Sequence, residues 1–495
     1  MTLRVTNTLS GEREAFEPIS DDTVLLYLCG LTTSDPAHLG HARTWVHTDV
    51  MHRWLEHRGY DVRHVENFTD VNEKIVARVG EVADDEASVA RHYVQSFLDD
   101  MRALNLKRVD VHPRVTEHVP EIVDLVETLV ETGHAYEANG SVYFDVTTFE
   151  EYGKLSNQDL EGMEAQGAED ELAEKRHPED FALWKADGVA PEEIAEHQHP
   201  GAAPAEAACE TAMTFDSPWG EGRPGWHIEC SAMSMAHLGE TFDIHVAGRD
   251  LVFPHNENEV AQSEAATGEP FARYWLHTGL LETGEAGEKM SSSLMNYFTV
   301  ADALEEFGVD VLRTFFLSTV YSARQRFGED AIAEAEERWE RLERAHDRAV
   351  AACDGADAST KVTDEDLRDV VATTRESFAE AMDDDFNTRE ALAALLDLAG
   401  TLNRHVDERD EYDFQGLADA IEALETLGGD VFGLSFGGDA GGEVRLVEDL
   451  VELVLDVREE ERAAGNYDRA DELRDRLAAL GVEVQDTDDG PAFRL

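Results

Sequence analysis

Residues 23–41, TVLLYLCGLTTSDPAHLGH, decide the fold. The run TVLLYLCG at 23–30 is apolar, of strand length, and ends in glycine. After a loop, Val46, Val50, Met51, Trp54 and Leu55 share one face of a helix, and Gly59 stops it. Residues 61–68 then read as extended. Strand, loop, helix and strand in that order open a parallel βαβ sheet, with a nucleotide crevice at the carboxyl end of the first strand. The expected class is α/β, a doubly wound parallel sheet.

The remaining text divides the chain. Residues 1–115 supply the first half of the sheet, and TFDIHVAG (241–248), a helix over 255–266 and a strand near 275–282 supply the second half within 216–285. Between them, 116–215 reads as an insertion. It starts with a helix at 119–132, and SVYFDV (141–146) alternates like an exposed strand. Residues 187–213, rich in Ala, Glu and Pro, read as a solvated acidic loop. Residues 286–330 form a loop and stem-contact region, and 331–433 a helical bundle. The glycine-rich LSFGGDAGG (434–442) is a linker, and 444–495 is a last compact unit. Its helices carry Leu446, Val447, Leu450, Val454 and Leu455, then Ala470, Leu473, Leu477 and Leu480.

Charge narrows the partners. The 495 residues carry 41 Lys and Arg against 107 Asp and Glu, a net charge of −66. Only 7 of the cations are Lys. An ordinary chain this acidic repels phosphate. Acidic surfaces depleted in Lys suit molar salt instead, where the Debye length is about 3 Å and repulsion is screened. RNA then remains an admissible partner. Secondary structure is expected to melt in dilute buffer; a circular dichroism spectrum unchanged on dialysis to low salt would remove the high-salt reading. Four cysteines give no disulfide framework, and no apolar run has the length of a signal peptide core or a membrane span. A cytoplasmic protein with no membrane partner is expected.

Three clusters carry chemistry. His38-Leu39-Gly40-His41 sits between the first strand and the first helix, where free N–H groups and the macrodipole attract phosphate. Gly40 removes a side chain, so a base or ribose can approach the backbone. Lys289-Met290-Ser291-Ser292-Ser293 offers an ammonium and hydroxyls on a loop able to close over phosphates. A polar turn is the simpler reading if this loop stands alone. Cys29, Cys230, His255 and Glu259 match zinc's ligand preferences. Only the last two are local in sequence, so on spacing alone two buried apolar cysteines remain the simpler reading.

These pieces occur together in one family. The chain resembles cysteinyl-tRNA synthetases, class I aminoacyl-tRNA synthetases, through CGLTTSDPAHLGHART (29–44), ENFTDVNEKI (66–75), SPWGEGRPGWHIECSAMS (217–234), FDIHVAGRDLVFPHNENEVAQSEA (242–265), EKMSSSLMN (288–296), MDDDFNTREALAALLDL (382–398) and NYDRADELRDRLAALGVEVQDT (466–487). The resemblance implies that L-cysteine and ATP form cysteinyl-adenylate, and that cysteine then passes to the terminal ribose of tRNA(Cys). It implies catalytic roles for His38, His41 and Lys289. The ATP set becomes His38, Gly40, His41, Asp250, Lys289 and Ser292, with Mg2+ accompanying ATP. Thr69 and Trp226 fall on the cysteine pocket, and Cys29, Cys230, His255 and Glu259 on the ligands of one Zn2+. A monomer is expected.

Departures from the family pattern bear on these roles. Ser292 stands where the phosphate loop usually has a second Lys, so it is only a weak ATP contact. Leu39 replaces an isoleucine, Asn256 the second His of the zinc helix, and Arg249 the serine of Gly-Ser-Asp. Residues 189–214 have no family counterpart. Arg458, Arg462, Arg469, Arg474 and Arg476 are candidate tRNA phosphate contacts, or else members of solvated ion pairs. Two rivals remain at this point. One is a cysteine–amino-sugar ligase sharing the catalytic core, against which the long helical extension argues. The other is a non-catalytic zinc and RNA-binding relative.

Overall fold

The computed structural model describes residues 2–160, 163, 169–199, 201–283, 288–289 and 298–436, and, in the C-terminal stretch, 454, 455, 458, 469, 470, 473, 474, 476, 477, 483–487 and 490–494. By internal contacts the chain divides into Met1–Leu434 and Ser435–Leu495.

The first unit is organised by a parallel sheet. Strand β1 (Thr23–Thr32) leads into helix α1 (Leu39–His57), which returns through β2 (Asp61–Thr69). Gly59, at φ +95°, follows the C-cap Arg58, as its left-handed conformation requires. Helix α2 (Glu86–Ala103) follows, and α3 (Val119–Thr132) enters the insertion. There β3 (Ala135–Ala138), β4 (Ser141–Phe144) and β5 (Phe181–Ala186) are followed by short helices α4 (Pro191–His197) and α5 (Ala205–Cys209), then β6 (Gly222–Pro224). Helix α6 (Trp226–Leu238), β7 (Phe242–Gly248), α7 (Glu257–Thr267) and β8 (Ala272–Thr278) restore the α/β alternation.

The sheet order is β8-β7-β1-β2, all parallel. Two strands come from each side of the insertion, and they meet where β7 pairs with β1. A crevice at the carboxyl ends of these two strands is the switch point where α/β sheets bind ligands. Both faces of the sheet are covered, so Leu26, Leu28, Ile244 and Val246 are all buried, and β1 reads as a near-continuous apolar run.

The register of β1 against β2 shifts between Leu28 and Leu31. Cys29 lies in that irregularity, three residues before the strand ends at Thr32. Gly30 is required there, because a Cβ would lie 1.6 Å from the Asn67 carbonyl oxygen.

The insertion differs from its sequence reading in two places. Ser141–Phe144 is buried throughout, because β4 is an inner strand of the antiparallel sheet β3-β4-β5-β6. Val142, Phe144, Phe181, Leu183 and Trp184 share one core with Ile228 and Met233 of α6, while Tyr143 packs with Tyr136 and Ala182, so period-two alternation misread a strand covered on both sides. That sheet also closes with β6, beyond residue 215.

The acidic stretch is largely exposed, as expected, but in its described residues it holds two short helices and is anchored rather than a free loop. Ala203 N–H donates to Val79 O at 2.8 Å, Met213 N–H to Glu86 Oε2 at 2.6 Å, and Ile194 and Ala208 are buried. Arg78 holds both Asp35 oxygens (2.9 and 3.2 Å) and donates to His197 O, tying α4 to the loop that precedes His38.

Beyond β8, β9 (Leu281–Thr283) pairs with β10 (Glu288–Lys289), and α8 (Val300–Phe307) and α9 (Val309–Leu317) lead to the bundle of α10 (Glu329–Cys353), α11 (Glu365–Asp383), α12 (Thr388–Glu408) and α13 (Phe414–Ala423). Within the bundle, Arg368 grips buried Asp413 with two 2.7 Å bonds. Burial opposes ionisation of Asp413, but Arg368 and the N–H groups of Asp364 and Gly416 bring its pKa down to about 2. The folded value lies below the unfolded value of about 3.9. This stabilisation is therefore present above about pH 4 and fades as pH falls toward about 2. An Asp413→Asn variant is expected to melt earlier at neutral pH and to lose less stability over that acid range; equal acid slopes in thermal melts would contradict the assignment.

Among the described residues, no helix is long and apolar enough to cross a membrane.

Candidate active site and metal centre

Three of the four predicted metal ligands meet in space. Cys29 comes from β1, Cys230 from the second turn of α6, and His255 from the wide turn Val252–Asn256 that precedes α7. The two sulfurs are 3.8 Å apart, and His255 Nε2 is 3.5 Å from Cys29 Sγ. All three are buried, and their donor atoms lie within 4.8 Å of one another.

Glu259 stands at the edge of this cluster. Its Oε1 is 3.9 Å from His255 Nε2 and has no hydrogen-bond partner, while Oε2 accepts from Asn256 at 2.6 Å and lies 3.3 Å from His245 Nε2. An orphaned, fully buried carboxylate oxygen beside two thiols and an imidazole is a donor set that fits a soft divalent cation.

The electrostatics agree. The hydrogen bond that Cys230 donates to Cys29, together with burial, pushes the Cys230 thiol well above its ordinary pKa. Burial opposes protonation of His255, yet the charges of Glu259 and Cys230 hold its pKa above the usual value. Such a pocket is short of positive charge, and a bound cation would reverse that balance by deprotonating the thiols.

Surrounding groups fix the ligands. His227 Nδ1 lies 3.0 Å from His255 Nδ1, which leaves Nε2 facing the sulfurs. Trp226 opens α6, is 39% exposed, and its ring centroid lies 4.4 Å from that of His255. Thr69, buried at the end of β2, donates to Glu229 Oε2 at 3.3 Å. Trp226, His227 and Glu229 line a cleft of about 660 Å³ together with Lys175, Lys185 and Arg223. The sequence reading missed His227, Asn67 and Glu229. Asn67 Oδ1 accepts from Tyr27 Oη and from Gly30 N, both at 2.8 Å, and thereby holds the strand irregularity at Cys29. His227 and Asn67 sit inside the WHIEC and ENFTD stretches, so proximity to the ligands was the available signal.

The nucleotide elements surround the head of α1. His38 is the N-cap: its Nδ1 accepts from His41 N (3.4 Å), and His41 Nδ1 accepts from His38 N (3.3 Å). The rings stack with centroids 3.6 Å apart. A Cβ at residue 40 would fall 2.8 Å from His38 Cε1, so glycine there makes room for the imidazole as well as for a ligand. Asp250 is exposed just past the carboxyl end of β7.

Lys289 has its backbone in β10, paired with Glu282. Its side chain and Ser292 lie outside the described residues. Downstream of them the chain rejoins the α1 head: Leu39 N bonds Phe298 O (3.2 Å), and Val300 N bonds Ala37 O (2.8 Å). In the second unit Arg458 is buried, which contradicts a role as a phosphate contact. Arg469, Arg474 and Arg476 are exposed, and Arg462 lies outside the described residues together with much of both expected helices.

The sequence is similar to three family models. The class I (C) tRNA synthetase catalytic domain matches 15–337, the DALR domain 377–437, and the cysteinyl-tRNA ligase anticodon binding domain 448–494. Cysteine–tRNA ligases of Haloarcula marismortui and Halobacterium salinarum are 70% and 61% identical, each covering 100% of both chains. That of Thermococcus onnurineus is 43% identical over 100% of this chain and 99% of its own. Among solved structures, Mycobacterium tuberculosis methionyl-tRNA synthetase with methionyl-adenylate aligns at TM-score 0.54 and 18% identity, over 83% of this chain and 89% of that one. An Agrobacterium radiobacter LeuRS–tRNA complex aligns at 0.58 and 12%, over 84% and 85%. These two likenesses establish the shared fold.

Proposed function

Because the chain belongs to the cysteine–tRNA ligases of the class I aminoacyl-tRNA synthetases, we propose that it activates L-cysteine with ATP and transfers it to the 3′-terminal ribose of tRNA(Cys). The observation that carries this reading is the pair of thiols 3.8 Å apart beside His255, at the same end of the sheet as the His38–His41 turn.

Cys29, Cys230, His255 and Glu259 would hold zinc. When bound, zinc supplies a soft Lewis acid that prefers a thiolate to a hydroxyl, and so separates cysteine from serine where shape alone discriminates weakly. His227 orients His255, and Trp226 walls the substrate. Thr69 and Glu229 mark the polar end of the pocket.

The cysteine carboxylate attacks the α-phosphorus of ATP and pyrophosphate leaves. The ribose hydroxyl then attacks the acyl carbon and AMP leaves. His38 and His41, held at the head of α1, direct imidazole and backbone donors toward the phosphates as charge redistributes. Lys289 contributes a cation from its loop, and Gly40 and Asp250 flank the adenosine. Mg2+ accompanies ATP.

The helical bundle over 331–433 and the unit over 444–495 are assigned to tRNA recognition, with the exposed Arg469, Arg474 and Arg476 as candidate phosphate contacts. The same reading has a cytoplasmic monomer and does not favour the amino-sugar ligase. Cysteine-dependent ATP–pyrophosphate exchange in high salt is expected, followed by acylation of tRNA(Cys). Exchange with acylation only of an amino sugar would overturn the acceptor, and absence of exchange would overturn the activity.

Restoring the second loop cation with Ser292→Lys is expected to change adenylation several-fold while leaving tRNA affinity nearly unaltered. Equal shifts in exchange rate and tRNA Kd would show that the loop does not face the pyrophosphate.

A further inference from the structure

One buried cation joins the two nucleotide elements. Arg43 is fully buried on α1, two residues after His41. Its guanidinium serves four oxygens. Nε–H donates to Gln325 Oε1 at 2.9 Å, Nη2 to Ala323 O at 2.8 Å and to Val320 O at 3.1 Å, and Nη1 to Gly279 O. All four acceptors are neutral. Burial lowers the pKa of Arg43 to about 10, which still leaves it a cation near neutral pH.

A cation buried among neutral acceptors is costly, and a hydrocarbon of similar volume would fill the space without desolvating a charge. What arginine alone supplies here is a planar fork of N–H donors. The donors of a lysine ammonium radiate from one point and cannot reach oxygens spread over two stretches of chain.

Those two stretches form the base of the strand pair that carries Lys289. Gly279 directly follows β8, and only Leu280 separates it from β9. Gly279 N–H donates to Tyr321 O at 2.7 Å, and a Cβ on residue 279 would strike the Ala323 carbonyl, so the segments meet backbone to backbone. The short strand Gln325–Arg326 then pairs in parallel with Leu281 and Glu282 of β9. On its other edge β9 pairs with β10, Glu282 opposite Lys289. Gln325 is itself fixed, because its Nε2 donates to Phe315 O of α9 at 2.6 Å. Next to Arg43, Thr44 Oγ1 lies 2.7 Å from Thr278 Oγ1 at the end of β8.

Position is thus passed from Arg43 through Gly279 and Gln325 to β9, and from β9 to the backbone of Lys289. In the other direction, Arg43 shares the start of one helix with His41 and the N-cap His38, so their backbones are held at fixed offsets. Downstream of Lys289 the chain is tied to the same helix head through Phe298 and Val300. Arg43 supplies the upstream tie. We propose that Arg43 is a positioning residue for adenylation, which sets the strand pair bearing Lys289 at a fixed offset from the His38–His41 turn so that ammonium and imidazoles meet one triphosphate. The inference rests on the cysteine-ligase reading and adds to it a residue that touches neither substrate nor metal.

The test is ATP–pyrophosphate exchange by the full chain in high salt, with Arg43→Lys, Lys289→Ala and the double variant. Arg43→Lys keeps the charge and loses the fork. It is expected to lower kcat/KM for ATP by about tenfold or more, because small misplacements of a catalytic group are costly. Zinc content should be unchanged, and the cysteine KM should stay within about twofold of wild type. In the Lys289→Ala background the same substitution should cost no more than about twofold, because the group it places is gone. A merely structural role would weaken ATP and cysteine use alike and would not depend on Lys289. Circular dichroism verifies folding. If Arg43→Lys does not fold, Gln325→Met removes one acceptor of the fork and should show the same pattern at about threefold. Multiplying losses in the double variant, an equal rise in the cysteine KM, or wild-type ATP kinetics in a folded Arg43→Lys protein each overturn the proposal. Absence of exchange in the wild-type chain is a different failure: it overturns the ligase reading and this inference with it.

Discussion

Replacing Cys230 with serine is expected to abolish stoichiometric zinc and to raise the cysteine KM for adenylate formation by on the order of 100-fold or more. Loss of a mere second-sphere partner costs about 10–100-fold in metal affinity or activity, and a ligand should cost at least that. The hydroxyl of serine is a harder, far less acidic donor than a thiol, and the variant leaves His255 and the orphaned Glu259 oxygen with one sulfur between them. Discrimination should fall with the metal, so serine becomes a measurable substrate relative to cysteine. Elemental analysis, paired with pyrophosphate exchange for both amino acids, checks this. Wild-type cysteine kinetics in a variant shown to lack metal would contradict the ligand assignment.

The second large effect concerns the frame of the site. Arg313 is fully buried on α9 and binds Asp49 Oδ2 of α1 at 2.6 Å, Phe432 O at 2.7 Å and Leu104 O at 2.9 Å. One guanidinium thereby joins the helix that carries His38 and His41, the turn after α2, and the end of the bundle. Asp49 also accepts from Arg53 and from Lys107 N. Arg313→Met removes the fully buried cation and leaves Arg53 alone to balance Asp49, which should cost up to about 3–5 kcal/mol. A fall of that size in unfolding free energy, measured by denaturant in high salt, is expected. The double variant Arg313→Met with Asp49→Leu should recover part of it, because both fully buried charges are then removed together and Arg53, nearer the surface, keeps its carbonyl partners. A double variant exactly as unstable as the sum of the two single variants would show that the pair does not act as a unit.

The sequence made the opening βαβ unit readable because the first strand is an apolar run and the first helix has a one-sided stripe ending at Gly59. It made the metal ligands readable only through resemblance, since Cys29, Cys230 and His255 are brought together by three different elements. Two kinds of information were hidden. Ser141–Phe144 looked half-exposed because alternation in sequence cannot report that the second face, at Tyr143, is covered by Tyr136 and Ala182 of the neighbouring strands. The 187–213 stretch looked solvated because its attachment runs through backbone groups, such as Ala203 N to Val79 O, rather than through large apolar side chains. Arg313, Arg43 and Asn67 were invisible for a related reason. Their partners are mainly carbonyls, glycine backbone and residues more than two hundred positions away: Arg43 reaches Gln325 at 2.9 Å and Ala323 O at 2.8 Å.

The irregular register at Cys29 has a consequence for anyone wishing to transplant this sulfur grip into another protein. A regular pleat would aim the thiol by strict alternation, whereas here the aim depends on an offset stretch, a side-chainless neighbour and the amide of Asn67 filling the gap. Copying the four donors with Cys29 set on a straight strand would place the chemistry correctly on paper and misdirect one sulfur in practice. The portable unit is the dislocated stretch of backbone together with its amide wedge.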